Sequence, residues 1–229
     1  MLLRLPGVYP PQEDTWLLAD AMAAESLGPG SRVLDICTGA GALSVQAASA
    51  GAGYVTAVDI SRRALATTWI NAHLRRLSIR VVHGDLTSPV RDQRFDLVVS
   101  NPPYVPAHDD VLPTRGIERA WDAGVDGRML LDRICVQAPG VLTESGILLI
   151  AQSVLSGVEK TQAMLEEQGL SVEIVARAEI PFGRVLSARA ALFEARGLIA
   201  VGQRTEEIVV LRAVRSHVEA NPLPTGTAQ

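Results

Sequence analysis

Apolar residues along this chain gather in short unbroken runs that alternate with segments of helical spacing. In SRVLDICTGAGALSVQAASAGAGYVTAVDIS, residues 31–61, an apolar run meets a glycine-rich turn, then a small-residue helix, then a second run that ends at Asp59. That order is a β-α-β unit. SRRALATTWINAHLRR continues with Ser61 as N-cap and Leu65, Trp69 and Ala72 at helical spacing, and IRVVHGD and FDLVVS read as strands. DGRMLLDRICVQAPGVLTESGILLIAQS predicts a helix followed by a strand that begins at its glycine. GVEKTQAMLEEQG has helical periodicity and stops at Gly169, and LSVEIVARAEI and EEIVVLRAV supply two late strands. A first helix is expected near Asp14, with Trp16 and Leu17 in packing roles. Continuous apolar strands separated by helices imply a doubly wound α/β fold, a mostly parallel sheet covered on both faces.

The chain contains no internal repeat and no linker that would split it. Residues 1–215 are therefore expected to form one domain, and 216–229, ending in NPLPTGTAQ, a disordered tail. The polar, acidic segment Ala107 to Gly124 has no strand pattern and is longer than a structural connection needs. It is a candidate lid or substrate loop, with Trp121 as an aromatic wall.

In an open parallel sheet, ligands sit beyond the carboxyl ends of the strands, where strand order reverses. DICTGAG occupies the first such turn: Gly39 and Gly41 admit close backbone approach and Asp35 offers a carboxylate, although the same glycines equally suit a tight turn onto a helix. Asp59, 24 residues after Asp35, ends the second run, where a carboxylate can accept both ribose hydroxyls of an adenosine. Asp85 in HGDL ends the third. Three carboxylates at successive strand ends would repel a pyrophosphate and suit a ligand with a cationic part, as the sulfonium and ammonium of S-adenosylmethionine provide. The fourth strand runs into Asn-Pro-Pro-Tyr. There the side-chain oxygen of Asn101 can accept from the NH2 of an amide or amine, a proline-locked carbonyl can accept the other proton, and Tyr104 offers a face to a planar group. Orientation is the main catalytic lever in such a site, and no general base is required.

Composition narrows the classes. With 48% hydrophobic residues in 229 and a mean hydropathy of +0.20, the chain has material for a sizeable core. The net charge of −4 arises from 21 basic and 25 acidic residues that are interspersed, unlike the basic stripe of a nucleic-acid binder. Arg62-Arg63 and Arg75-Arg76 read as solvated helix faces. No apolar run approaches the roughly 18 residues of a membrane span, and MLLRLPGVYPPQED breaks on prolines and acids before a signal-peptide core forms. Cys37 and Cys135 stand far apart outside any CxxC or Cys/His spacing, so a cytoplasmic protein without disulfide or zinc is expected. His73, His83, His108 and His217 are scattered, and HDD at 108–110 reads as a solvated loop; no metal site is expected.

The segments VYPPQEDTWLLADAM, VLDICTGAGALS, VTAVDIS, GDL, FDLVVSNPPYVP, WDAGVDGR and EEIVVLRA together resemble the HemK/PrmC-type release-factor glutamine methyltransferases. The resemblance covers about Val8 to Val214, and the YxPxEDT opening is similar to the short eukaryotic and archaeal branch. It implies a seven-stranded, Rossmann-like class I methyltransferase sheet that uses S-adenosylmethionine. It implies that Thr15, Asp35, the backbone at Cys37, Asp59, Asp85 and Leu86 hold the donor beside the Gly39–Gly41 turn. Asn101, which borders the donor as well, then holds the target glutamine amide with Pro102 and Tyr104. The acceptor implied is the glutamine of the Gly-Gly-Gln loop of a class I release factor, and a small zinc-binding activator that covers an apolar surface is implied as partner, against the alternative of a self-sufficient monomer. The family usually has glycine where Cys37 stands, a departure that bears on donor affinity. Two rival readings share the same corner: methylation of an exocyclic amine of adenine or guanine, since (N/D)PP(Y/F) also marks such enzymes, and a non-catalytic scaffold. The acidic balance and the lack of a nucleic-acid-binding appendage argue against the first.

Overall fold

A computed structural model describes residues 2–216. The C-terminal stretch expected to be disordered lies, apart from Ser216, outside the described residues. Helix α1 (Glu13–Ala23) precedes β1 (Arg32–Ile36), α2 (Ala42–Ser49), β2 (Tyr54–Asp59), α3 (Arg62–Leu74), β3 (Ile79–His83) and β4 (Phe95–Ser100). Then come α4 (Leu131–Gln137), β5 (Leu142–Ser153), α5 (Val158–Glu167), β6 (Leu170–Pro181), α6 (Arg184–Ala195) and β7 (Thr205–Arg215). The seven strands form one sheet in the order β3-β2-β1-β4-β5-β7-β6, parallel except for β7, which runs antiparallel to both its neighbours.

The strand residues predicted to be buried on both faces are so: Val33, Leu34 and Ile36 of β1 and Leu97, Val98 and Val99 of β4 have little or no exposure. One side of the sheet packs against Leu18, Ala19 and Met22 of α1 and Leu43 and Ala47 of α2. The other packs against Leu131 and Ile134 of α4, Val158 and Leu165 of α5, and Leu186, Ala190 and Phe193 of α6. Strand order reverses between β1 and β4, so the crevice for a ligand opens beyond Ile36 and Ser100. Ser100 bridges the two strands there by donating to the Ile36 carbonyl at 2.9 Å.

Four expectations are corrected. The hydrophobic pattern assigns nothing to residues 181–205, yet α6 fills half of that gap, its buried face carried by positions 186, 190 and 193. Alternation with Arg184, Arg189 and Glu194 hid that face. Strand β5 begins at Leu142, not at Gly146; a register shift opposite Phe95 accommodates the extra residues, and a Cβ at Gly146 would come within 2.8 Å of the Phe95 carbonyl oxygen. Trp16 turns outward at 47% exposure while Leu18 and Met22 take the core. Trp69, at 53% exposure, stacks on His73 one turn later and does not share the buried face of Leu65 and Ala72. Ser61 caps α3 as expected, accepting from the Ala64 N–H at 3.4 Å.

Candidate active site

A cavity of about 840 Å³ opens at the strand-order reversal, within the roughly 300–1,000 Å³ typical of small-molecule sites. Its floor is the carboxyl ends of β1, β2 and β4, and its walls are the segment 7–15 before and within α1, the loop 112–122, and residues 180–186.

One end is built on backbone turns. Gly39 has φ +57, Gly41 φ +80 and Cys37 φ +61, so the chain leaves β1 through left-handed conformations that only glycine adopts without strain. Gly41 also lets α3 approach, since a Cβ there would lie 2.7 Å from the Thr68 side chain. Asp35 does not face the cavity. It is fully buried beneath the turn, where its Oδ2 accepts from Thr38 Oγ1 at 2.6 Å, Ser44 Oγ at 2.6 Å and the Ser44 N–H at 3.1 Å, and burial raises its carboxyl to about 6. Asp59 does line the cavity, and each of its oxygens accepts one backbone N–H, from Gly39 at 3.0 Å and Ser61 at 2.7 Å. Burial raises its carboxyl, while those two bonds and the Arg119 guanidinium pull it back. Asp85 pairs with Arg133 at 2.5 Å, so the cluster of three acids is less bare than the sequence suggests. Leu86 (φ +49), buried, lines the cavity next to Asp85 in the chain. The Cys37 thiol, pushed well up by burial and then by Asp59, stays protonated at the wall.

The other end centres on the Asn101–Tyr104 corner. Asn101 donates through Nδ2 to Thr15 Oγ1 at 3.1 Å, while its Oδ1 is buried with no partner within the protein. The Tyr104 hydroxyl donates to Asp14 Oδ2 at 2.7 Å, which fixes the ring. Its carbonyl accepts from Ser156 Oγ at 2.7 Å, and Gly127 must be glycine there, because a Cβ would sit 2.3 Å from that carbonyl oxygen. The DGR segment thus braces the corner, with buried Arg128 pairing with Asp132 and donating to the Ser156 and Gly157 carbonyls. Pro102 and Pro103 complete the wall.

The loop 107–124 returns on itself: the Val105 N–H donates to the Trp121 carbonyl at 2.8 Å and the Ala107 N–H to Gly124 at 2.7 Å. Helix α6 ties it down, Arg189 pairing with Asp122 and donating to the Pro106 carbonyl at 3.0 Å. Trp121 lines the cavity edge-on to Tyr9, ring centroids 5.3 Å apart, and its Nε1 is buried without a partner. Sequence reasoning missed Tyr9, Asp14 and above all Glu206 of β7, buried and lining the same end. The EDT opening carried a signal for Asp14. Nothing local marks Glu206, whose neighbour Glu207 is an ordinary ion-pair acid with Arg177.

Residues 2–180 match the family described as Methyltransferase small domain. The chain belongs to that family. A relative from Methanocaldococcus jannaschii, provisionally named a protein N5-glutamine methyltransferase, is 35% identical over 79% of this chain and 90% of its own. The mouse methyltransferase HEMK2 is 33% identical over 71% and 79% of the two chains. A Bordetella pertussis release factor glutamine methyltransferase is 36% identical over 72% of this chain and 63% of its own. Among solved structures, E. cuniculi Mtq2, in its complex with Trm112 that methylates the termination factor eRF1, superposes with a TM-score of 0.63 at 24% identity over 92% of this methyltransferase and 99% of that chain. That likeness shows the seven-stranded fold alone.

Proposed function

We propose that this methyltransferase, acting as a single domain of residues 1–215, moves a methyl group from S-adenosylmethionine to the side-chain amide nitrogen of a glutamine. The glutamine of the Gly-Gly-Gln loop of a class I release factor is the favoured acceptor. The observation that carries this reading is the buried, unpartnered Oδ1 of Asn101. An oxygen held out of water without a donor costs free energy, and the group it awaits brings a hydrogen-bond donor, which an amide N–H supplies. A primary amide brings two, one for Asn101 and one for the Pro102 carbonyl, with its plane against Tyr104.

The other end fits the donor. When bound, S-adenosylmethionine supplies an electrophilic methyl on a sulfonium. Asp59 retains an unused acceptor site on each oxygen for the ribose hydroxyls, and Asp85 and Leu86 border the adenine side. Thr15 and the backbone at Cys37 and Gly39 border the methionine side. Asp35 and Gly41 act from behind, holding the turn. Asn101 and the fixed Tyr104 then orient the amide nitrogen, which is the step a weak nucleophile most needs. Names of the relatives support the same reaction.

A small partner subunit, zinc-binding as the family resemblance implies, is proposed on the outer edge of the sheet. Strand β3 has a free side there, Ile79, Val81 and Val82 are only half-buried, and Trp69 and Leu74 of the adjoining α3 are exposed. Among the described residues no helix is long and apolar enough to cross a membrane, and the two free thiols suit a cytoplasmic setting. Mass spectrometry of a release factor co-expressed with this protein is expected to show one added methyl on the Gly-Gly-Gln glutamine, absent with Asn101→Ala. A methyl found on lysine or on a nucleic-acid base would overturn the proposal.

A further inference from the structure

Glu206 stands at the start of β7 with 6% exposure, lines the acceptor end of the cavity, and has an Oε2 without any partner within the protein. Acids around it are engaged. Glu207 pairs with Arg177 at 3.0 Å, and Glu179 accepts from Thr205 at 2.6 Å. The groups that face Glu206 are Asp14 from α1, Tyr9 from the segment before it, Tyr104 from the corner and Ser153 from β5. None of them is a cation. A buried carboxyl with an unused oxygen is costly, and one that borders a cavity calls for a ligand donor. No group of three His, Cys, Asp or Glu among the described residues could hold a metal, and a donor carried in by the acceptor would complete the oxygen.

A glutamine side chain brings two N–H groups, and Asn101 and Pro102 account for both. The donors left on an incoming polypeptide are its backbone amides beside the glutamine. We propose that Glu206 is a specificity-determining residue that accepts a backbone N–H of the acceptor polypeptide next to the methylated glutamine; this rests on the amide-acceptor reading above. It gives a role to a β7 carboxyl buried beside Tyr104 and Asp14 with no cation facing it. It also makes acceptor binding depend on pH. Burial first, and Asp14 second, raise this carboxyl to about 7 against the pull of Ser153. Above that pH the carboxylate accepts an N–H through a charge-assisted bond, and below it the neutral acid accepts more weakly.

The test is steady-state methylation of a synthetic peptide containing Gly-Gly-Gln between pH 6 and 8.5, using the active preparation with its partner subunit if activity requires one. For the wild type, the KM for peptide is expected to fall severalfold as pH rises through 7. Glu206→Gln is expected to raise that KM roughly tenfold at pH 8, the loss of one charge-assisted hydrogen bond. It should leave kcat and the affinity for S-adenosylmethionine within about twofold and flatten the pH profile of KM. An unchanged KM, a retained pH profile, or a defect confined to kcat would overturn the assignment while the amide reading stands. A wild type that leaves the glutamine unmodified, under conditions where it methylates another acceptor, overturns both.

Discussion

The two ends of the cavity are built on opposite principles. At the proposed donor end the carboxylates that line or brace the cavity are largely engaged: Asp59 holds two backbone N–H groups, Asp35 three donors on Oδ2 although its Oδ1 has none, and Asp85 an arginine. At the acceptor end Asn101 Oδ1, Trp121 Nε1 and Glu206 Oε2 are buried and unengaged. The first is a cradle whose shape is paid in advance by the fold. The second, on the reading proposed above, is a set of open valences that an acceptor would complete. Pre-formed geometry suits a donor common to many enzymes, and unsatisfied groups suit discrimination, because a wrong acceptor leaves them orphaned at a cost of about 1–3 kcal/mol each.

The sharpest way to break this contrast is at Asp59. Asp59→Ala would remove the two charge-assisted bonds proposed to the ribose, roughly 1.5–3 kcal/mol each, so donor affinity is expected to fall by about two to four decades. Calorimetry with S-adenosylmethionine measures it, and circular dichroism checks that the freed Gly39 and Ser61 amides have not unravelled the turn. An affinity within tenfold of wild type would mean that the donor end is not where this carboxylate places it.

Asn101→Ala probes the other end. Turnover is expected to fall roughly a hundredfold or more, while donor affinity changes only a few-fold, since the lost group acts on the oriented acceptor. Equal losses in both quantities would merge the two ends into one and remove the distinction.

How much of this was legible in the sequence follows the same division. The proposed donor end is local: a strand, a glycine turn and an acid one strand over lie within residues 32–59, so pattern and spacing were enough to place Gly39 and Asp59 at the crevice. Asp35 was legible as a strand-end acid but not as a buried brace, because direction depends on Thr38 and Ser44 closing around it. The acceptor end joins the EDT segment, the corner after β4, the loop at 121 and the start of β7. Only the Asn-Pro-Pro-Tyr piece carries its chemistry in its own residues. Glu206 was invisible, since antiparallel insertion of β7 between β5 and β6 decides which of two adjacent glutamates turns inward.

Stability against pH sharpens the contrast further, because an empty acceptor end should strain the fold. The Glu206 carboxyl, ordinarily near 4.5, is raised to about 7 by burial, so the folded chain keeps a proton that the unfolded chain releases. The sign follows: the folded state binds more protons between those values, and stability is lost as pH rises from about 4.5 through 7. At 1.36 kcal/mol per pH unit the loss is on the order of 3 kcal/mol. Glu206→Gln is expected to unfold at a higher temperature than wild type at pH 8, with the advantage vanishing near pH 5. Asp35, raised to about 6, leaves a residual slope of the same sign in the variant. A variant no more stable than wild type at pH 8 would show that the carboxyl finds a partner after all.

The smallest expected effect is at Cys37, where the donor end departs from its own rule. A side chain at φ +61 costs about 1–2 kcal/mol relative to an ordinary conformation, and glycine would remove that strain. Against the gain stand the entropy that glycine loses on folding, roughly 0.5–1 kcal/mol, and the partial burial of the thiol against the core, so the net change in stability should stay within about 1 kcal/mol. Donor affinity separates the two contributions. If the thiol narrows the wall beside Asp59 and Asp85, Cys37→Gly should tighten S-adenosylmethionine binding a few-fold while leaving the KM for the acceptor unchanged. If affinity stays the same, the thiol lies along the wall without crowding the donor. A fall in affinity would mean that the sulfur packs against the donor, and that this end of the cavity was adapted to cysteine instead of merely tolerating it.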